Sequence, residues 1–284
     1  MKKFAVLGHP VAHSLSPVMH AANMKAIGFE GTYEKFDVDP ADLADFIRQK
    51  RDEGYSGLNI TVPHKIAVIP LLDHVDESVS RYGACNTIRF EADGTLTGFN
   101  TDVIGFVTGL KAHGFELKGR KVVIIGCGGA GSALATACCY EGAAELKVAD
   151  LRAESVTALV EKLRGLNLGT QVDGLIGAAG ASVEEQKVMW GEAAAKADLV
   201  VNATPMGLHP GEPSALPESS FHPGQFVLDI VPTKTFPPTA SAAVKAGAAA
   251  SDGLEFLVGQ GAKSFELWTG VTADRAAMLA AIRA

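Results

Sequence analysis

Gly126-Cys127-Gly128-Gly129-Ala130-Gly131 follows directly on Val122-Val123-Ile124-Ile125, and no other stretch constrains the chain as much. The apolar run reads as a buried strand over Arg120–Gly126, and the small residues from Ala130 onward read as a helix. Glycines at this spacing let the backbone turn tightly. They also bring a helix N-terminus, with unpaired N–H groups and a partial positive charge, against a phosphate. The next strand, Leu146–Asp150, ends on an acid nineteen residues beyond Gly131. There a carboxylate can accept a hydrogen bond from a ribose hydroxyl. A turn that merely packs a helix on a sheet needs none of this context. Strand, helix and acid together predict a dinucleotide site formed by Gly126, Gly128, Gly129, Ala130, Gly131 and Asp150. A 2′-phosphate beside Asp150 would set like charges a few ångströms apart, costing about 1–3 kcal/mol at intermediate dielectric. NAD is therefore expected ahead of NADP, although Arg152 can turn outward to receive that phosphate.

Short apolar runs alternate with helical patterns along nearly the whole chain, which predicts an α/β protein. Strands are expected at Lys3–Gly8, Thr32–Val38 and Ser56–Val62, with a hairpin turning on Asp93-Gly94 between Asn86–Glu91 and Thr95–Phe99. Ser16-Pro17 reads as an N-cap and first helical residue, opening a helix to about Ala26. Asp39-Pro40 opens another, with Leu43, Phe46 and Ile47 as its apolar stripe. A fresh series begins after the helix starting near Thr101: helix Glu154–Arg164, then strands Asp198–Asn202 and Phe226–Val231. Between those two strands, residues 205–224 are rich in Pro, Gly and Ser and read as a long functional loop. Helices over about Leu254–Trp268 and Thr272–Arg283 close the chain.

Composition removes several classes of function. With 25 Lys and Arg against 32 Asp and Glu the net charge is −7, and no basic block offers a footing for nucleic acid. No apolar stretch approaches membrane-spanning length, and Phe4–Gly8 is too short for a secretory core. Cys85, Cys127, Cys138 and Cys139 form neither a Cys-x-x-Cys pair nor a Cys/His cluster. A reduced cytoplasmic protein with packed thiols and no metal site is expected.

The first hundred residues carry polar constellations of their own. In Gly8-His9-Pro10-Val11-Ala12-His13-Ser14-Leu15-Ser16-Pro17, two serines stand two residues apart at a helix start. If the stretch is extended, both hydroxyls point the same way beside free N–H groups, a pocket for a small carboxylate; plain capping is the alternative. Gly57-Leu58-Asn59-Ile60-Thr61-Val62-Pro63-His64-Lys65 is a strand ending in a polar cluster with one lysine. Asn86-Thr87 and Gly98-Phe99-Asn100-Thr101-Asp102-Val103-Ile104-Gly105 flank the hairpin.

These segments, with Asn202-Ala203-Thr204-Pro205-Met206-Gly207 and the run from Asp252-Gly253-Leu254 through Gln260 to Phe265-Glu266-Leu267-Trp268, resemble the shikimate dehydrogenase family in order and over nearly the whole chain. The resemblance implies reversible nicotinamide-dependent reduction of 3-dehydroshikimate to shikimate. It also implies a substrate-binding α/β domain over residues 1–101 and a Rossmann-type doubly wound parallel domain over 102–253. Helices over 254–284 would return to the substrate domain. By motif, Ser14 and Ser16 would hold the substrate carboxylate, and Thr61, Asn86, Asp102 and Gln260 the ring hydroxyls. Lys65 and Asp102 would form the catalytic dyad, and Thr204, Met206, Gly253 and Arg152 would join the glycine turn around the cofactor. The lysine makes chemical sense. Charge builds on the ketone oxygen during reduction, so a positioned ammonium supplies both a proton and electrostatic stabilisation. His13 then reads as ordering a turn and His64 as a spacer; Cys85, Cys127, Trp190 and Trp268 read as packing residues.

Three positions depart from the family's usual pattern. Ala21 stands where asparagine is usual, Asp150-Leu151-Arg152 replaces the clamp for an NADP 2′-phosphate, and Pro232 stands where a tyrosine is expected after Val231. Asp150 also fits the quinate/shikimate branch, so an NAD-dependent quinate/shikimate dehydrogenase is the alternative, quinate carrying one more hydroxyl. A dinucleotide-binding regulator without catalysis is the reading from a different class. The partners implied are a small hydroaromatic acid and NAD or NADP, with neither nucleic acid nor membrane, in a monomer or homodimer.

Overall fold

Phe4–Gly8 are buried without a break, as a strand covered on both faces requires. In the computed structural model, which describes residues 1–209, 211–231 and 235–284, this run is the core of β1 (Lys2–Gly8). It lies parallel to both β2 (Gly31–Asp37) and β3 (Gly57–Ile60). Parallel neighbours need crossovers, which α1 (Ser16–Ala26) and α2 (Leu43–Asp52) provide. The next stretch holds α3 (His64–Ala67), β4 (His74–Val75) and α4 (Glu77–Tyr82), none of them expected from the sequence. The signals for α4 were present. Asp76 accepts the Ser78 N–H at 2.9 Å as its N-cap, and Gly83 ends it at φ +69°. The hairpin of β5 (Thr87–Phe90) and β6 (Leu96–Phe99) turns where expected, with Gly94 at φ +86°.

The chain divides into two compact units, Met1–Thr108 with Leu257–Ala284, and Gly109–Phe256. The first unit holds a mixed sheet in the order β2-β1-β3-β5-β6-β4. On one face of β1, Ala5 and Leu7 pack with Leu58, Ile60 and Ile88. α5 (Thr101–Ala112) leads the chain out of this unit.

The second unit runs through β7 (Lys121–Ile125), α6 (Gly129–Tyr140), β8 (Glu145–Ala149), α7 (Ala153–Gly165), β9 (Gln171–Leu175), α8 (Val183–Ala194), β10 (Leu199–Asn202), β11 (Phe226–Asp229), α9 (Pro238–Lys245) and β12 (Ala249–Ser251). All its pairings are parallel, in the order β12-β11-β10-β7-β8-β9. That is the strand order of a doubly wound dinucleotide-binding sheet, reversing direction beside β7. Every residue of β10 and β11 is buried, so neither shows alternation. β9, α8, α9 and β12 escaped the sequence reading, although α8 carries a capping box between Ser182 and Glu185. Cys138 and Cys139 are both buried because α6 is enclosed on nearly every side from Ala133 to Cys139, and the four cysteines are free.

α10 (Gly253–Thr269) leads back into the first unit, where α11 (Arg275–Arg283) follows. α11 starts three residues later than expected from Thr272, because Asp274 is its N-cap, accepting the Ala277 N–H at 2.9 Å. Trp268 stacks on Phe4 with ring centroids 4.9 Å apart, and its indole N–H donates to the Ile88 carbonyl at 2.8 Å. A Cβ on Gly57 would stand 2.1 Å from that indole nitrogen, so only glycine admits the tryptophan.

Candidate active site

Lys65 is the second residue of the short helix α3, which starts where β3 leaves the sheet. The N–H of Thr61 donates to Leu7 at 2.9 Å, that of His64 to Thr61 at 2.9 Å, and that of Cys85 to the Lys65 carbonyl at 2.8 Å. These bonds tie the lysine to β1 and to the segment leading into β5. His64 is more than a spacer: its ring is wholly buried, with Nε2 2.8 Å from the Val38 carbonyl oxygen. Lys65 Nζ donates to Asp102 Oδ2 at 2.7 Å, with the two side chains 24% and 14% exposed. The pair is thus shielded yet reachable. Asp102 Oδ1 accepts from Asn86 Nδ2 at 2.9 Å, so both carboxylate oxygens are engaged.

Asp102 sits in the first turn of α5 and Gln260 in α10, helices that meet at two glycines. A Cβ on Gly105 would come within 2.7 Å of the Gln260 backbone nitrogen, and one on Gly259 within 3.3 Å of Gly105. That close approach brings Gln260 Oε1 to 3.3 Å from Asn86 Nδ2. Asn86, Lys65, Asp102 and Gln260 are therefore brought together within one unit.

The two serines are arranged differently from expectation. Leu15, between them, has helical backbone angles (φ −86°, ψ −6°), so the stretch is not extended and the alternation rule does not apply. Ser16 is not the N-cap but the first residue of α1, and its N–H donates to Ser14 Oγ at 3.3 Å. Ser16 is buried, Ser14 and Thr61 are partly exposed, and His13 is exposed. Tyr33, a half-buried phenol that the sequence reading overlooked, donates to Asn59 Oδ1 at 2.7 Å. Burial pushes that phenol above its ordinary range. Tyr33 stacks on His20 at 4.2 Å, and burial pushes the His20 imidazole down to about 3.

In the second unit the glycine turn has the predicted form, with α6 starting at Gly129 rather than Ala130. Gly126 has φ +106°, and a Cβ on Gly131 would fall 1.9 Å from the Gly126 carbonyl oxygen. Gly128 and Gly129 face open space, with nothing within 4 Å of a built Cβ. The first helical bond runs from Ser132 N–H to Gly128, so the N–H groups of Gly129, Ala130 and Gly131 precede it and point out of the helix end. An open cradle of donors at a helix N-terminus fits a pyrophosphate. Asp150, just past β8, accepts the Cys127 N–H at 2.8 Å through Oδ2 and the Arg152 N–H at 3.0 Å through Oδ1. These bonds, together with the Arg152 guanidinium, hold its carboxyl below the ordinary range although burial pulls the other way. Arg152 is 63% exposed, its Nε 3.4 Å from Asp150.

Thr204 and Met206 are set by Asn202, whose role the sequence reading did not assign. Asn202 Oδ1 accepts from Thr204 Oγ1 at 2.7 Å, while its Nδ2 donates to the Met206 carbonyl and to Asp229 Oδ1, each at 3.1 Å. Gly253 admits no side chain, since a Cβ would stand 2.4 Å from the Ile230 carbonyl oxygen. Pro232, at the position where a tyrosine was expected, lies outside the described residues. Among those residues no group of three or more His, Cys, Asp or Glu could hold a metal ion, and no helix is long and apolar enough to cross a membrane.

Comparison with known proteins converges with this geometry. Residues 6–88 match the model of the shikimate dehydrogenase substrate binding domain, and residues 253–283 that of the shikimate 5′-dehydrogenase C-terminal domain. Residues 121–233 match a model described as NADP oxidoreductase, coenzyme F420-dependent. A relative from Moorella thermoacetica, named shikimate dehydrogenase (NADP(+)), is 42% identical over 96% of this chain and 90% of its own length. Shikimate 5-dehydrogenase from Thermus thermophilus, solved with NADP(H) and shikimate, is 36% identical with a TM-score of 0.83, covering 100% of this chain and 99% of that one. Quinate dehydrogenase from Corynebacterium glutamicum, solved with NAD, is 34% identical with a TM-score of 0.86, covering 99% and 98%. Identity of this extent, end to end, over a chain that also pairs Lys65 with Asp102, leads to one conclusion: it belongs to the shikimate dehydrogenase family.

Proposed function

We propose that this chain catalyses the reversible, nicotinamide-dependent interconversion of 3-dehydroshikimate and shikimate. The observation that carries the proposal is the 2.7 Å contact of Lys65 with Asp102, in a family member whose residues 6–88 match the substrate-binding model. The dinucleotide, when bound, supplies a hydride to the substrate carbonyl carbon or removes one from it. As the carbonyl oxygen gains charge, the Lys65 ammonium gives it a proton and stabilises it; in the opposite direction neutral Lys65 takes the hydroxyl proton. Asp102 orients the amine, and its bond from Asn86 restrains the carboxylate from turning. Ser14 and Ser16 bind the substrate carboxylate, while Thr61, Asn86, Asp102 and Gln260 bind the ring hydroxyls. Gly126, Gly128, Gly129, Ala130 and Gly131 cradle the pyrophosphate, with Thr204, Met206 and Gly253 completing the dinucleotide site. Free thiols and the family's small-molecule chemistry fit a cytoplasmic enzyme, monomeric or homodimeric.

We infer NAD as the preferred dinucleotide, because a 2′-phosphate beside the Asp150 carboxylate would bring like charges together. The Moorella relative is named for NADP(+), and exposed Arg152 is the group that would serve that phosphate. Asp150, with the 34% identical quinate dehydrogenase solved with NAD, favours a second reading as a quinate/shikimate dehydrogenase. Initial rates for shikimate and quinate, each with NAD and NADP, separate these possibilities. Highest kcat/KM is expected for shikimate with NAD. Preference for NADP would overturn the cofactor inference alone, whereas no turnover of either acid would overturn the proposed reaction.

A further inference from the structure

Behind Asp102 lies a buried cluster of hydroxyls to which the proposed reaction assigns no part. Thr87 Oγ1 has four polar neighbours: Ser264 Oγ at 2.8 Å, and Asn59 Nδ2, Asn86 Oδ1 and Thr101 Oγ1, each at 3.1 Å. Ser264 Oγ lies 3.0 Å from Thr101 Oγ1 and donates to the Gln260 carbonyl at 3.0 Å. β5, α5 and α10 each contribute one hydroxyl, and all three residues are wholly buried.

Donor and acceptor roles in this cluster are constrained. The Thr101 N–H can only donate, and Asn86 Oδ1 accepts it at 2.7 Å. The Asn86 carbonyl oxygen therefore faces the Thr101 N–H, which leaves Nδ2 to donate to Asp102 Oδ1 at 2.9 Å and to Thr101 Oγ1 at 3.0 Å. The Thr87 hydroxyl offers that same oxygen a further donor at 3.1 Å. Turning the amide over would set its NH2 against the Thr101 N–H and its oxygen against a carboxylate. Thr101 is wholly buried, so the clash at its N–H cannot be relieved by water.

We propose that Thr87, Thr101 and Ser264 are positioning residues: their clustered hydroxyls hold Asn86 with its NH2 towards Asp102, and so fix the carboxylate that orients Lys65. The proposal rests on the reaction above for its kinetic consequence, but the hydrogen-bond arrangement can be read without turnover. Thr87→Val removes Oγ1 and keeps the shape; Thr87→Ser keeps the hydroxyl and drops the methyl. For shikimate oxidation, Thr87→Val should lower kcat about tenfold and, since Asn86 is also assigned to a ring hydroxyl, raise KM by about threefold, and Thr87→Ser should recover both to within about twofold of the parent. Independently, the side-chain amide protons of Asn86, assigned in a ¹H–¹⁵N spectrum, should exchange slowly in the parent and in Thr87→Ser. In Thr87→Val they should exchange at least about tenfold faster. Should Thr87→Val fail to fold, Ser264→Ala removes a contact of the same cluster and is expected to behave likewise. Parental kcat and amide exchange in the variant that folds would overturn the proposal, as would equal impairment of Thr87→Val and Thr87→Ser. A parent that oxidises no shikimate, yet whose protected Asn86 amide is lost in Thr87→Val, would sink the reaction and support the positioning role.

Discussion

Lys65 Nζ approaches Asp102 to 2.7 Å, while the far oxygen of the same carboxylate accepts from Asn86 at 2.9 Å. One carboxylate thus links the amine to a buried amide. An amine held this way delivers its proton along a set direction, which is what general acid catalysis requires.

Lys65→Met keeps an unbranched side chain one atom shorter and removes the amine with its proton. It is expected to lower kcat for shikimate oxidation by about 10²–10⁴-fold. KM for shikimate and for the dinucleotide should stay within about threefold, as for a group that acts on the transition state. Steady-state kinetics over both substrates checks this; a variant that loses binding and keeps kcat would contradict it.

Asp150→Ala separates ribose recognition from the architecture of the turn. The variant loses the acceptor for the Cys127 N–H whichever cofactor is present. Only NAD also loses an acceptor for its ribose hydroxyl, and a charged hydrogen bond of that kind contributes about 1.5–3 kcal/mol. KM for NAD should therefore rise by about tenfold or more relative to KM for NADP. Equal changes for the two dinucleotides would show that Asp150 serves the turn alone.

Gly129 and Gly131 are predicted to fail in different ways. An alanine at Gly131 would meet the Gly126 carbonyl at 1.9 Å, so Gly131→Ala should destabilise the second unit by about 3 kcal/mol. Nothing lies within 4 Å of a Cβ on Gly129. Gly129→Ala should therefore melt like the parent while its methyl group intrudes on the phosphate cradle, raising the dinucleotide Kd about tenfold. Calorimetric melting and cofactor titration of both variants distinguish the two effects.

His20 makes the first unit sensitive to acid. Folded, its buried imidazole stays neutral down to about 3, whereas in the unfolded chain it protonates below its ordinary value of 6.5. Between those limits the unfolded state binds the extra proton, so this contribution is full above 6.5 and is lost as pH falls towards 3, by about 1.4 kcal/mol per pH unit. His20→Phe preserves a ring against Tyr33 and should flatten the acid side of the stability profile by that slope. Urea unfolding between about pH 5 and 7, followed by Trp268 fluorescence, measures it; parallel profiles would rule out His20 as the sensor.

The strands and helices that escaped the sequence reading share a cause. α8 is polar over Glu184-Glu185-Gln186-Lys187, and β4 and β12 have two and three residues. Such elements exist because a neighbour supplies half of what holds them, so their own sequences show little periodicity. The local geometry of Ser14 and Ser16 also departs from an extended stretch. Leu15, between them, already has helical angles, so the two hydroxyls are not related by strand alternation.

By itself the sequence determined the parallel second sheet, the glycine turn with its acid, and the identities of Lys65, Asp102, Asn86 and Gln260 as polar residues in family motifs. Those features rest on local chemistry: buried runs of Val and Ile, glycines where a Cβ would collide, and residue types whose order is informative. Tertiary structure alone decided that Gly105 and Gly259 let α5 and α10 close on each other. It also decided that Thr87, Thr101 and Ser264 share one buried hydroxyl cluster, and that Tyr33 and His20 stack on each other. Thr87 and Ser264 are 177 residues apart in the chain, and a hydrogen bond of 2.8 Å between them depends on packing that no local pattern encodes.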